Sequence, residues 1–346
     1  MELVFWLMIV LSTFSYFIYP FTLKLCFKQN SPKQVKGIPC NGISFIITAH
    51  NEEKIIKRKV QNTLDIVPKD INIEIIVASD CSADRTDEIV NTFAEQKVRL
   101  VRADQHLGKE YAQHCAIKKA RYDLLVFSDV STELQPGVLQ KLIRLFKDES
   151  VGAVSSEDRF ISRDGKIAGE GAYVKYEMWL RNLESHCKGL VGLSGSFFAT
   201  RKSICSEWDI HSPSDFNTAL NCAKQGKRAI SSSEVEGFYP NLKDESKEYQ
   251  RKLRTAIRGM TGLSRHKDVL NPIKFGLFSY QVWGHKVMRW GVPWFMFGAL
   301  VSNLFLLSKA FYIFTLLVQI SLIAMHFLQR ISGITGEQIY FHFRVF

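Results

Sequence analysis

The apolar residues of this chain gather at its two ends, and that placement limits the folds open to it. From Leu3 to Phe27 the sequence reads LVFWLMIVLSTFSYFIYPFTLKLCF, and the apolar and small residues before Lys24 match the roughly 20 that a membrane-spanning helix needs. A signal peptide would place basic residues before the apolar stretch and a small-residue cleavage site after it. Here Glu2 comes first, and Lys24, Lys28, Lys33 and Lys36 come after. Residues 1–28 therefore read as an uncleaved anchor, with a buried core helix as the plainer alternative. The positive-inside rule puts the residues after this anchor in the cytosol. Near the other end, Gly291–Leu307 and Ala310–Leu328 are two further apolar runs separated by Ser308 and Lys309. They read as a membrane hairpin over 291–330, flanked by Arg289 and Arg330 and approached by Trp283, Trp290 and Trp294. Residues 270–290, with Lys274, His285 and Lys286 among aromatics, read as an interfacial amphipathic helix leading into it.

Between these ends lies a different kind of sequence. With 25 Phe, 11 Tyr and 6 Trp at 23% charged residues, disorder is excluded. The seven cysteines form no C-x-x-C pair, so neither a zinc site nor a disulfide framework is indicated. A formal net charge of +11 suits an anionic membrane surface and an anionic substrate, and no nucleic-acid recognition motif is present.

From about residue 40 to 250, short β-branched runs alternate with helical patterns: strand 43–48, helix 52–66, strand 73–78, helix 84–96, strand 97–102, helix 108–121 and strand 124–127. This alternation predicts an α/β domain over 40–265 with a mainly parallel sheet. Ligands of such sheets bind beyond the carboxyl ends of the strands. The unusual polar residues do come directly after strands: TAHNEE from Thr48, SDCSADRT from Ser79 and SDVST from Ser128.

At these residues the chain resembles a family. H-N-E-E after the first strand, S-D-x-S-x-D-x-T after the second, L-G-K at 107–109 and S-D-V-S after the fourth are similar to family 2 glycosyltransferases of the GT-A fold. The resemblance continues through EGAYVKYE (170–177), GSFFATR (195–201), PSDF (213–216) and YQRKLR (249–254). It extends to membrane-anchored transferases of bacterial polysaccharide synthesis and, more distantly, to hyaluronan, chitin and cellulose synthases.

The resemblance implies roles residue by residue. Asn51, Glu52 and Asp80 would bind the nucleotide, against an Asx-turn or helix cap as the simpler account of the second loop. Lys109, at a helix start behind Gly108, would approach the nucleotide end of the donor, or else be a solvated surface lysine. Asp129 matches the first position of the family's D-x-D motif, whose carboxylates hold Mg²⁺ or Mn²⁺ against the donor diphosphate. The third position here is Ser131 rather than a second acid. Asp215 stands where the family has its catalytic base, with Ser214 in place of an acidic neighbour, and an N-cap is the alternative. Gly195 would lie beside the donor sugar and acceptor. Glu177 and Arg181 read equally as a surface ion pair. Arg251 and Arg254 would face the diphosphate or acceptor, or lipid phosphates. Around them the Q-x-x-R-W of processive synthases is matched only at Arg254.

The implied protein is a membrane-bound inverting glycosyltransferase with its catalytic domain in the cytosol, at a bacterial inner membrane. It would use a nucleotide-sugar donor, a UDP-sugar, and a lipid-linked or polysaccharide acceptor, with polysaccharide assembly proteins as further partners. A processive synthase, or a non-catalytic nucleotide-sugar-binding subunit of an assembly complex, are the alternatives.

Overall fold

The computed structural model describes residues 1–26, 41–161, 171–240 and 245–332. Lys28, Lys33, Lys36 and Cys40 lie outside the described residues. The chain divides into two compact units, one of them holding residues 41–161, 178–240 and 245–280.

That unit is built on a sheet of seven strands: β1 (Ile43–Ala49), β2 (Ile73–Ser79), β3 (Val98–Arg102), β4 (Leu124–Asp129), β5 (Val151–Ile161), β6 (Phe197–Arg201) and β7 (Arg228–Pro240). Their order is β3-β2-β1-β4-β6-β5-β7. β1 pairs in parallel with both β2 and β4, β2 with β3, and β5 with β7, while β6 runs antiparallel to β4 and β5. The sheet is therefore mainly parallel, as the alternation predicts.

Both faces of the sheet are covered, which is why β1, β2 and β4 read as nearly continuous apolar runs. Ile43, Phe45 and Ile47 of β1 share one core with Ile56 and Val60 of helix Ile56–Asp65 and Leu139 and Leu142 of helix Val138–Leu145. Ile46 points the other way, into a core with Ala112 and Ala116 of helix Lys109–Lys119 and Ala219 of helix Ser214–Lys224. In this second core Phe127 stacks on Phe198 at 4.8 Å and on Trp208 at 5.5 Å. Truncating such a side chain costs about 3–5 kcal/mol, so β4 is firmly seated two residues before Asp129.

The helix expected from residue 52 starts at Ile56. The intervening backbone is engaged elsewhere: the amides of Glu52 and Glu53 donate to Thr86 Oγ1 and Asp84 Oδ2. The helix expected over 84–96 is a short α-helix, Thr86–Asn91, succeeded by a 3₁₀ turn. The expected helix over 270–290 is broken. Gly276, at φ 52°, separates helix Pro272–Phe275 from helix Leu277–Val282, and a π-helical turn, Trp283–Val287, comes next.

The second unit holds residues 1–26, 171–177 and 281–332. Glu2–Leu25 is long and apolar enough to cross a membrane. Helices Met288–Leu304 and Ala310–Ser332 are also apolar, with Trp294, Phe297, Phe311 and Phe314 exposed. Phe5, Ala299 and Tyr312 form a small core between these helices. Glu177 accepts from Arg289 at 2.7 Å rather than pairing with Arg181. In the α/β unit Arg181 donates to Ser155 Oγ at 2.6 Å.

Candidate functional site

The chain adds β2 and then β3 on one side of β1 before β4 returns to the other side, so the strand order reverses at the β1/β4 seam. Such a switch point leaves a crevice beyond the strand ends. A cavity of about 220 Å³ opens there, lined by Thr48, Ala49, His50, Glu52, Asp80, Lys109, Asp129, Val130 and Ser131. Four residues singled out by sequence, Glu52, Asp80, Lys109 and Asp129, are thus brought together.

On the β1/β2 side the loops are laced to each other. Asn51 accepts from the Ala83 amide at 2.8 Å, and its own amide donates to Ser82 Oγ. Asn51 does not line the cavity; its side chain holds the neighbouring loop. Asn51 and Cys81, each two residues past a strand, both have left-handed backbones, at φ 55° and 54°. Such conformations cost about 1 kcal/mol or more in a non-glycine residue and persist where surrounding contacts enforce them. Asp80 is 3% exposed and accepts from the Gly108 amide at 3.2 Å and from His106 Nδ1 at 2.9 Å. His50 Nδ1 donates to the Asp80 carbonyl at 2.7 Å, and the His50 and His106 rings stack at 4.3 Å. Burial raises the carboxyl pKa of Glu52 above its ordinary value, and the nearby carboxylates of Asp84 and Asp129 add to the rise.

On the β4/β6 side one lysine joins distant segments. Lys109 Nζ donates to Asp129 Oδ1 at 2.5 Å and to the Gly195 carbonyl at 2.7 Å. The Asp129 amide donates to the Ser196 carbonyl at 2.8 Å. A β-carbon added to Gly195 would meet the Asp215 carboxyl carbon at 3.5 Å, an ordinary contact distance, so this carboxylate lies beside the backbone that Lys109 holds. Asp215 lies inside the first turn of helix Ser214–Lys224, whose cap position is Pro213. The N-cap alternative for Asp215 is therefore excluded.

Arg251 and Arg254 lie exposed on helix Glu245–Arg265, outside the cavity lining. The residue of that basic cluster that meets the core is Arg258, 2.6 Å from the buried Glu110 beside Lys109. Sequence reasoning missed His50 and His106, although the first stands inside H-N-E-E and the second just before L-G-K. It also missed Lys59, which is buried beneath the Asp129 turn and donates to Ser128 Oγ at 2.7 Å. A second missed group is a chain of hydroxyls around Gly195. Ser194 Oγ donates to Asp158 at 2.6 Å, and Ser196 Oγ meets the Tyr239 hydroxyl at 2.9 Å.

Among the described residues, two donor sets are candidates for a cation. Asp129, whose Oδ1 is held by Lys109, and Ser131 line the cavity and carry only oxygen donors, as hard divalent ions prefer. His50, Asp80 and His106 offer ligand atoms within 4.8 Å of one another. The two imidazoles are nearly parallel, at 17°, an arrangement better suited to stacking than to pointing two ring nitrogens at one ion.

Residues 44–208 match the model of Glycosyl transferase family 2. A probable glycosyltransferase, YdaM of Bacillus subtilis, is 32% identical over 148 residues, which cover 40% of this chain and 34% of that protein. A poly-beta-1,6-N-acetyl-D-glucosamine synthase of Staphylococcus aureus is 26% identical over 197 residues, 55% of this chain and 47% of that protein. The chain thus spans less than half the length of these curated relatives. Among solved structures, a mannosyltransferase from Pyrobaculum calidifontis, in complex with GDP-Man and Mn²⁺, superimposes with a TM-score of 0.72 at 19% identity, covering 94% of this chain and 98% of that one. This last likeness is one of fold. With the switch-point cavity, the carboxylates just past its strands and the matched segment in agreement, residues 44–208 carry a family 2 glycosyltransferase domain on a GT-A fold.

Proposed function

We propose that the chain is a membrane-bound inverting glycosyltransferase. It moves a sugar from a nucleotide-sugar donor, a UDP-sugar, to a lipid-linked or polysaccharide acceptor at the cytosolic face of a bacterial inner membrane. One observation carries this reading: Lys109 binds both Asp129 and the Gly195 carbonyl, and Gly195 in turn lies against the Asp215 carboxylate. A diphosphate-facing group and a base are thereby fixed on the two sides of one short segment.

In this reading Asp80 and Glu52 hold the nucleoside, and Asn51 supports them from the loop beneath. Lys109 offers its ammonium to the diphosphate. Asp215 accepts the proton of the acceptor hydroxyl as that oxygen attacks the anomeric carbon from the face opposite the leaving nucleotide. The all-oxygen set of Asp129 and Ser131 fits Mg²⁺ or Mn²⁺, which when bound neutralises charge on the leaving diphosphate. The helix Glu2–Leu25, and the exposed aromatics of helices Met288–Leu304 and Ala310–Ser332, support insertion in a bilayer.

The test is nucleotide release from a panel of UDP-, GDP- and dTDP-sugars by purified protein in lipid with Mn²⁺ or Mg²⁺, beside Asp215→Asn. Metal-dependent release from one donor that collapses in the variant is expected. Donor binding without release would instead indicate a non-catalytic subunit. The staphylococcal relative, a synthase by name, favours processive extension as the second reading. Product length separates the two.

A further inference from the structure

Lys59 is a buried cation that the proposed reaction does not use. It projects from helix Ile56–Asp65, is 3% exposed, and donates to Ser128 Oγ at 2.7 Å and to the Thr132 carbonyl at 2.6 Å. These acceptors bracket Asp129, Val130 and Ser131, three residues that line the cavity. The same helix is stitched to the chain just beyond by Asn62, whose side chain donates to the Leu134 carbonyl at 2.9 Å and accepts from the Leu134 amide at 3.0 Å. On the opposite flank, the Asp129 amide and Thr132 Oγ1 both donate to the Ser196 carbonyl. The turn is therefore held from two directions, with Lys59 fastening its two ends and Lys109 binding the Asp129 carboxylate between them.

Burying an ammonium costs several kcal/mol, and an apolar chain of the same length would fill the space without that cost. Burial pushes the Lys59 ammonium down to about 7, with the carboxylates of Asp129 and Glu133 pulling it back up. A buried amine with both of its bonds on one turn is better explained by what that turn presents. With Ser131 in place of a second acid, the turn offers the cavity a single carboxylate, and its aim matters correspondingly more.

We propose that Lys59 is a positioning residue for the diphosphate-facing turn: by fastening both ends of Ser128–Thr132 it fixes the carboxylate of Asp129 towards the cation and diphosphate of the donor. This rests on the proposed role of Asp129 as the cation-facing carboxylate. Direct binding of Mn²⁺–UDP, and of Mn²⁺–GDP, to the full chain in lipid tests it, with kcat and donor KM measured alongside.

Losing a charged hydrogen bond predicts that Lys59→Met raises the dissociation constant and the donor KM about tenfold. Its kcat should stay within about threefold of wild type. Ser128→Ala should raise the same constant about threefold, and less than that when added to Lys59→Met, because the two share one bond. Unchanged Mn²⁺–nucleotide binding in a folded Lys59→Met overturns the proposal, as does a fall in thermal midpoint and kcat with KM unaltered. If Lys59→Met does not fold, Ser128→Ala decides, and unchanged binding there overturns it. Asp215→Asn, which should bind Mn²⁺–UDP normally without turning it over, separates this failure from failure of the enzyme reading. A wild type that binds neither nucleotide sinks the donor reading and this inference with it.

Discussion

The two sides of the cavity are built in opposite ways. The β1/β2 side is made of two short loops that bind each other, with Asn51, Ser82, Ala83 and Thr86 exchanging bonds within a few residues of their strands. The β4/β6 side is held by lysines that cross long stretches of sequence: Lys109 to the Gly195 carbonyl over 86 residues, and Lys59 to Ser128 over 69. One side is a backbone mould and the other an electrostatic assembly. A mould is suited to recognising the constant part of a donor, while charges that converge from separate elements are suited to the part of the reaction where charge moves.

This contrast can be broken by substitution. The largest effect belongs to Asp215→Asn, which should lower kcat by about 10³-fold, the usual scale of a lost general base. Donor affinity should be preserved; a parallel loss of affinity would show that Asp215 binds rather than acts.

Next comes a pH effect centred on Lys59. In the unfolded chain a lysine takes up its proton below about 10.4, whereas in the folded chain Lys59 does so only below about 7. Between these values the unfolded state binds one more proton, so stability rises with pH. Relative to Lys59→Met, the wild type should gain up to a few kcal/mol from pH 7 to 10. Thermal midpoints in detergent at each pH measure it, and equal slopes would remove the buried charge from the account. Lys109→Met should weaken donor binding about 10- to 100-fold, by the cost of one lost charge-assisted bond to the diphosphate, with the loops of the β1/β2 side keeping their hydrogen-exchange protection. Smallest is Gly108→Ala. At φ 98° and ψ 177° the residue sits in a region nearly reserved for glycine, with open space around its α-carbon, so only backbone strain of about 1–3 kcal/mol is expected. That should appear as a thermal shift of about 2–4 °C for each kcal/mol, with donor affinity falling only if the Gly108 amide leaves Asp80.

The same contrast explains what could be read from the sequence. Strand-end residues such as Glu52, Asp80 and Asp129 were legible because the β-branched runs before them announce the strands, and a parallel sheet sends ligands to those ends. Lys59 was not legible: its spacing from Asp129 has no periodicity, and a lysine in a polar helix normally faces water. The H-N-E-E motif was legible but its stitching was not, since its partners are supplied by the next loop rather than by its own helix. Arg251 and Arg254 were placed near the diphosphate by alignment of a short motif. On an α-helix, four residues amount to one turn of about 6 Å, and it is Arg258, one turn beyond Arg254, that meets Glu110.

The register of β1 has a further consequence. It is hydrogen-bonded on both sides in step, with Thr48 opposite both Ala78 and Asp129. A slip by the smallest step that keeps the side chains on their faces, two residues, would displace a strand end by about 6.6 Å and would have to tear two ladders at once. The floor of the cavity is therefore a fixed datum, and change of substrate in descendants of this chain has to be sought in the loops that leave it. Efforts to redirect the domain to another sugar should leave β1, β2 and β4 intact and diversify the segments around Ser194–Ser196 and Asp158.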